Sequence, residues 1–160
     1  MPAYFFDTSA FAKLYHQETG SDHVVRLVDQ LGSTSLISRL VLVEIESVFA
    51  TKFRTGELDA VGQQACQRRL RADLSQGRIQ IGPPLDEHHY ASARQLIIQF
   101  GSSMALRTLD ALQLAIALDL KAAGIVSVLV VADHRLGQVA ELCGLATIIP
   151  GAPGIVIAGS

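Results

Sequence analysis

Short apolar runs that alternate with helical segments are the feature that most restricts the fold of this chain. The clearest run, Val128-Leu129-Val130-Val131-Ala132, is rich in β-branched residues and has no polar alternation. Such a run is typical of a strand that is covered on both faces, as in a parallel sheet. The sequence therefore predicts an α/β fold in which helices flank a central, mainly parallel β-sheet.

The same alternation sets the expected order of elements along the chain. We predict strands at residues 3–6, 34–38, 78–81, 127–132 and 146–149. We predict helices at residues 7–16, 21–31, 39–55, 57–75, 86–100, 108–123 and 134–143. With 160 residues in all, we expect one domain over residues 1–149 and a Gly- and Pro-containing tail over residues 150–160. Within that tail, Ile155-Val156-Ile157 is expected to pack as an edge strand.

Composition limits the classes of partner. Only 18% of the residues are charged and 49% are hydrophobic, whereas an average soluble domain has roughly 25% charged residues. This balance predicts an apolar surface that a homodimer or a partner chain would cover. The net charge of -2 excludes a protein that holds nucleic acid by bulk positive charge alone. It does not exclude an enzyme that reaches phosphodiesters through bound metal ions.

Cysteine spacing and the lengths of the apolar stretches indicate the cellular compartment. Cys66 and Cys143 are far apart, with no C-x-x-C spacing, which fits reduced thiols in a cytoplasmic protein. The first residues lack the basic and apolar regions of a signal peptide. The longest nearly apolar stretch, residues 122–132, is shorter than the roughly 18 to 20 residues that span a membrane. We therefore expect a cytoplasmic protein with no membrane segment.

Two of the predicted strands end directly in an aspartate. Asp7 follows the first strand, and Asp133 follows the strand at residues 127–132. In an open parallel sheet, ligands bind at the carboxyl ends of the strands. Each aspartate also has a simpler explanation, because it could cap the helix that follows. The shared topological position of both acids favours a common site.

Further acids interrupt apolar helices. Glu44 and Glu46 lie in one helix and point about 200° apart, so they cannot serve one site together, and periodicity does not choose between them. Asp110 lies near the start of the next apolar helix, where the helix dipole favours an acid and Thr108 could be the N-cap. A pocket of four carboxylates needs divalent cations, and hard oxygen ligands favour Mg²⁺ or Mn²⁺.

Four segments resemble the motifs of PIN-domain nucleases of the VapC toxin type. The opening Phe6-Asp7-Thr8-Ser9-Ala10, with Lys13-Leu14-Tyr15, Glu18 and Gly20-Ser21, resembles the first motif. Leu42-Val43-Glu44 followed by Ser47-Val48-Phe49 is similar to the second and selects Glu44 over Glu46. Residues 106–115 resemble the third motif, and Ala132-Asp133-His134-Arg135-Leu136, with Ala140 and Gly144-Leu145, resembles the fourth. The resemblance extends from residue 3 to residue 149.

The resemblance implies a PIN-like fold and a metal-dependent endoribonuclease, the toxin of a type II toxin–antitoxin pair. It implies that Mg²⁺ or Mn²⁺ is held by four catalytic acids: Asp7, Glu44, Asp110 and Asp133. Supporting roles would fall to Thr8, Ser9, Lys13 and Arg107. RNA could be held by local cations, each of which could equally be a solvated surface charge: Lys13, Arg39, Arg54 and Arg107. Family members commonly form homodimers and are silenced by an antitoxin, here a VapB-like protein.

One departure from the family pattern leaves alternatives open. The family has a Thr or Ser two residues before the fourth acid, where this chain has Val131. Asp133 is therefore ranked last among the four acids, and a catalytically inactive PIN-like interaction module is the main alternative. A phosphoacceptor signalling domain also gathers aspartates at strand ends. It is disfavoured because the first strand ends in a single acid and none of the predicted strands ends in a lysine.

Overall fold

A computed structural model of the chain describes residues 1–152 and contains a five-stranded sheet. The strands lie in the order β3-β2-β1-β4-β5, and every neighbouring pair is parallel. Their bounds are β1 Ala3–Phe6, β2 Thr34–Ile37, β3 Gln80–Ile81, β4 Val128–Val130 and β5 Ala146–Ile148. The predicted α/β fold with a parallel central sheet is confirmed.

Helices connect the strands and cover both faces of the sheet. They are α1 Thr8–Phe11, α2 Ser21–Val28, α3 Arg39–Arg54, α4 Ala60–Ser75, α5 Glu87–Met104, α6 Thr108–Ala122 and α7 His134–Leu142. A 3₁₀ turn, Ala12–Leu14, continues α1. None of the helices in residues 1–152 is long and apolar enough to cross a membrane.

Two hydrophobic cores lie on opposite sides of the sheet. Phe5 and Leu129 belong to the core that includes side chains of α5, α6 and α7. Phe6 and Val130 belong to the core that includes side chains of α1, α2, α3 and α4. Because successive side chains of a strand point to opposite faces, both faces of β1 and β4 are buried. This burial explains why these strands read as continuous apolar runs in the sequence.

Several helix boundaries differ from the predictions, among them the ends of α1 and α2, which come earlier, and two boundaries of α4 and α5. Helix α4 begins at Ala60 rather than at residue 57, because Asp59 caps it by accepting from the Gly62 N–H over 2.7 Å. Helix α5 continues past the predicted end at residue 100 and through Gly101, since a single glycine costs a helix only about 1 kcal/mol. It ends where Ala105 adopts a left-handed conformation with φ 53°.

Other elements are shorter than predicted. The third strand contains only Gln80–Ile81, because the N–H groups of Arg78 and Ile79 both donate to the Asp73 carbonyl in a turn after α4.

Arg107, not Thr108, occupies the N-cap position of α6, and its side chain makes no capping bond. The predicted edge strand at Ile155-Val156-Ile157 lies outside the described residues.

Candidate active site

The ends of β1 and β4 place two acids side by side. The strands are neighbours, Phe6 is in register with Val130, and the Asp7 N–H donates to the Val130 carbonyl over 3.0 Å. Asp7 follows β1 directly, and Asp133 follows β4 after a short connection. Both carboxylates therefore lie at the carboxyl edge of the sheet, where open α/β folds bind ligands.

Both aspartates also cap helices, and helix capping alone would account for an aspartate at each position. Asp7 Oδ1 accepts from the Ala10 N–H over 3.1 Å at the start of α1. Asp133 Oδ1 accepts from the N–H groups of Arg135 and Leu136 at the start of α7. These bonds fix each carboxylate while leaving its second oxygen available for another ligand.

A cleft of about 490 Å³ brings the four predicted acids together. Its lining residues are Asp7, Thr8, Ser9, Val43, Glu44, Ser47, Val48, Arg107, Leu109, Asp110 and Asp133. Three of the predicted supporting residues, Thr8, Ser9 and Arg107, are among these lining residues. Lys13 does not line the cleft, because its ammonium group donates to Glu18 Oε1 over 3.1 Å and to the Thr19 carbonyl over 2.8 Å. Arg39 and Arg54 are also outside the lining.

Helix α3 directs its two glutamates to different surroundings. Glu44 lines the cleft, whereas Glu46 is exposed and accepts from Gln67 Nε2 over 2.7 Å. The separation follows from their angular spacing on the helix.

A hydrogen-bond chain that includes two buried residues holds Glu44, and no feature predicted from the sequence included it. Gln113 Nε2 donates to Glu44 Oε1 over 2.9 Å, and the Ser38 hydroxyl donates to Gln113 Oε1 over 2.7 Å. Gln113 and Ser38 are both buried. The available signal was a glutamine within the otherwise apolar segment of α6 at residues 111–117.

Two hydroxyl groups extend the polar lining next to Asp7. The Ser9 hydroxyl donates to Asp7 Oδ1 over 2.5 Å and accepts from the Ala132 N–H over 3.2 Å, which joins the ends of β1 and β4. The buried Thr8 hydroxyl has no hydrogen-bond partner among the described residues. A buried polar group of this kind in a cleft is suited to a bound water, ion or substrate atom.

The electrostatics of the cleft favour a cation. Burial raises the pKa of Asp7 to about 6; its hydrogen bonds from Ser9 and Ala10 oppose this rise, and the charges of Asp110 and Glu44 add to it. Burial also raises the pKa of Asp110. The charge of Asp133 adds to this rise, whereas the nearby Arg107 lowers the pKa. The acids therefore destabilise one another's charged forms, and a bound cation would relieve that repulsion.

The donor set fits a hard divalent ion that is only partly coordinated by protein. All four acids offer oxygen ligands. Within residues 1–152, however, no three His, Cys, Asp or Glu side chains are grouped closely enough to hold one ion by themselves. Mg²⁺ is usually bound by one or two carboxylates, with water and substrate phosphates completing its shell. The cleft fits that mode of binding rather than an all-protein cage.

Val131, the departure from the family pattern, does not reach this site. Its side chain is fully buried in the same core as Leu136 and Val139, and it is absent from the residues that line the cleft. Val131 therefore contributes no group to the cleft lining.

Comparison with known proteins agrees with the fold. The sequence model of the PIN-domain family matches residues 4–142 of the chain. The structure is similar to PAE2754 from Pyrobaculum aerophilum, with TM-score 0.54 and 16% identity over 91% of this chain and 89% of that one. It is also similar to FitAcB from Neisseria gonorrhoeae, with TM-score 0.62 and 17% identity over 94% and 99% of the two chains. No curated protein gave a significant match. At these identities the structural likeness establishes the fold alone.

Proposed function

Because this chain belongs to the PIN-domain family, we propose that it is a metal-dependent endoribonuclease, the toxin of a type II toxin–antitoxin pair of the VapC kind. One observation carries the proposal: four acids from two strand ends and two helices line a single cleft at the carboxyl edge of the sheet. Such a cleft suits the positioning of a phosphodiester and the divalent ions that its hydrolysis requires.

In this proposal the four acids have a common role as ligands. Asp7 and Asp110, with Glu44 and Asp133, would hold Mg²⁺ or Mn²⁺. A bound divalent ion lowers the pKa of a coordinated water and neutralises charge on the leaving oxygen. The chain itself supplies the positions: Ser9 and the α1 cap hold Asp7, and Gln113 holds Glu44.

Arg107 is proposed to orient the RNA. Its side chain is 80% exposed, and its Nε lies 3.6 Å from Asp110 Oδ2. The ion pair is too exposed to lock the guanidinium in place. Arg107 can therefore turn towards a substrate phosphate that lies between the acids.

The rim of the cleft supports a protein partner. Val43 on α3 is 73% exposed and Leu109 on α6 is 47% exposed, and both line the cleft. Exposed apolar side chains beside an active site suit an inhibitory chain that covers them, here a VapB-like antitoxin. We also expect a homodimer, in line with the low content of charged residues, and a cytoplasmic location, in line with the widely spaced Cys66 and Cys143.

The proposal is tested by incubating total cellular RNA with purified, antitoxin-free protein in Mg²⁺, Mn²⁺ or EDTA. We expect discrete fragments that require the metal and disappear with Asp110→Asn. Glu46→Gln is the control, because it neutralises an acid on α3 that lies outside the cleft. Fragments that persist in EDTA or with Asp110→Asn would reject this site as their source.

A catalytically inactive PIN-like interaction module is the second candidate. It is favoured by the absence, among residues 1–152, of three acidic side chains grouped around one ion position. It predicts no cleavage in either metal, together with binding of a protein partner such as a VapB-like chain.

A further inference from the structure

A groove leaves the cleft beside Asp110 and Asp133. These two residues and Arg107 also line a neighbouring cavity of about 330 Å³, which reaches Arg135. Arg135 in turn lines a third cavity of about 350 Å³ that extends to Gln138. The second and third cavities together are termed the polar trough. The trough therefore adjoins the cleft, with which it shares Arg107, Asp110 and Asp133.

The far half of the trough offers donors for a sugar-phosphate backbone. Ser102, Ser103 and Gln138 line it and are exposed, and Arg135 is its one charged lining residue in the described chain. Within residues 1–152 the Arg135 guanidinium forms no ion pair; the backbone N–H of this residue bonds Asp133. A free guanidinium is a strong ligand for phosphate, and hydroxyl and amide groups suit ribose and phosphate oxygens.

The trough also has apolar lining residues, which are Met104, Ala105, Leu106 and Leu136, but it has in addition the donors of Arg135 and Gln138, which do not line the rim at Val43 and Leu109. Val43, Val48 and Leu109 contribute apolar side chains there. Covering charged phosphates with apolar groups costs free energy, because no hydrogen bond replaces the lost water. An RNA strand that reaches the carboxylates is therefore expected to leave across the trough. A chain of net charge -2 needs such local cations to hold RNA.

We infer that the polar trough binds the sugar-phosphate backbone of the RNA strand on one side of the cleaved bond, with Arg135 contacting a phosphate. The inference rests on the proposed function and adds the route of the strand away from the acids. Contacts of this kind position a strand without reading its bases. Arg135 therefore contributes affinity and register rather than sequence preference.

The binding test uses a short single-stranded RNA that spans a mapped cut site, with Asp110→Asn in every protein to prevent cleavage. Adding Arg135→Ala is expected to weaken the affinity roughly tenfold, as for the loss of one charge-assisted hydrogen bond. The slope of log K against log salt should fall by about 0.7. Arg135→Lys should recover part of the affinity. Arg26→Ala is the matched control, since Arg26 is an exposed cation on α2 outside the trough.

A kinetic test places the contact relative to the cut. With the acids intact, Arg135→Ala should raise KM and leave kcat nearly unchanged, because the phosphate contact is equal in ground and transition states. Substrates shortened stepwise from the 5′ end and from the 3′ end then locate it. Shortening from one end should abolish the difference between Arg135→Ala and the unmodified protein.

The outcomes separate the inference from the function on which it rests. If the unmodified protein cleaves RNA while Arg135→Ala equals Arg26→Ala in affinity, salt slope and KM, the trough is not the route of the strand. If the unmodified protein cleaves no RNA in Mg²⁺ or Mn²⁺, the proposed function and the inference both fail. An unchanged unfolding midpoint, expected for an exposed residue, shows that Arg135→Ala acts on binding.

Discussion

The side-chain amide of Gln113 donates to Glu44 Oε1 over 2.9 Å and accepts from the Ser38 hydroxyl over 2.7 Å. Gln113 and Ser38 are buried, so water cannot replace the bond between them. The chain joins the N-cap residue of α3 to α6, the helix that also carries Asp110. The positions of two cleft acids are thereby linked through one glutamine.

Replacing Gln113 by leucine should lower cleavage by about 10- to 100-fold, the usual cost of losing a residue that orients a metal ligand. Ser38 also loses its acceptor, so the free energy of unfolding should fall by about 1 to 3 kcal/mol. Calorimetric titration with Mg²⁺ separates the two effects, because a purely structural role would leave the metal affinity of the folded protein unchanged. Gln67→Leu is the control: it removes the same type of bond, from Gln67 to the exposed Glu46.

The two glutamates of α3 should respond very differently to the same change. Glu44→Gln is expected to lower the cleavage rate by about 10² or more, because losing a metal ligand should cost at least as much as losing the residue that orients it. Glu46→Gln should remain near the unmodified rate, because Glu46 faces away from the cleft. Single-turnover cleavage with saturating protein measures both. Equal losses would show that the cleft assignment of α3 is wrong.

The sheet was predictable because its strands are buried on both faces. β1 and β4 have apolar side chains towards both cores, which leaves an unambiguous run in the sequence. The start of α4 was less predictable, since Glu57 and Asp59 are both plausible early residues of a helix. The choice depends on local bonds: Asp59 caps the helix, whereas Glu57 pairs with Lys52.

The site was predictable only in part, for a related reason. Asp7 and Asp133 follow strands, so topology alone places them at one edge of the sheet. Gln113 stands out only as a polar residue in an apolar segment, and Arg135 only as a neighbour of Asp133 in the fourth motif; neither pattern gives the contacts of the side chain. Their surroundings depend on how α3, α6 and α7 pack around the cleft, and no pattern within one element encodes that arrangement.

Asp7→Asn should stabilise the protein at neutral pH. The folded-state pKa of Asp7 is raised to about 6 from 3.8, so the folded chain binds the proton more tightly than the unfolded chain. The carboxylate therefore lowers the free energy of unfolding as pH rises from about 4 to 6, and its full cost of about 3 kcal/mol is present above pH 6. Asparagine can keep the α1 cap without the charge.

Urea unfolding of Asp7→Asn and the unmodified protein between pH 4 and pH 8 measures this effect, with EDTA present. The stabilities should converge near pH 4 and separate towards pH 8. A variant that is less stable at every pH would show that the Asp7 carboxylate is stabilised in the fold, contrary to the raised pKa.

Mg²⁺ or Mn²⁺ should raise the melting temperature, and EDTA should reverse the rise. Free ion at about 100 times its Kd adds about 2.7 kcal/mol, and each kcal/mol shifts Tm by roughly 2 to 4 °C for a chain of this size. The shift should shrink below pH 6, because a protonated Asp7 cannot serve as a ligand. Asp110→Asn should reduce the shift and Glu46→Gln should not. A shift that both variants share would place the ion outside the cleft.

Val131→Thr restores the family's hydroxyl and should not increase cleavage. Val131 is fully buried in the core with Leu136 and Val139, so the new hydroxyl would lie among apolar side chains. Its burial should lower the free energy of unfolding by about 1 to 3 kcal/mol, since Val and Thr match in shape but not in polarity. Urea unfolding and cleavage of the same RNA measure the two effects. Val139→Thr, an equivalent change in the same core, is the control. A rise in cleavage with Val131→Thr alone would mean that the hydroxyl reaches the acids and that the unmodified chain is an impaired nuclease.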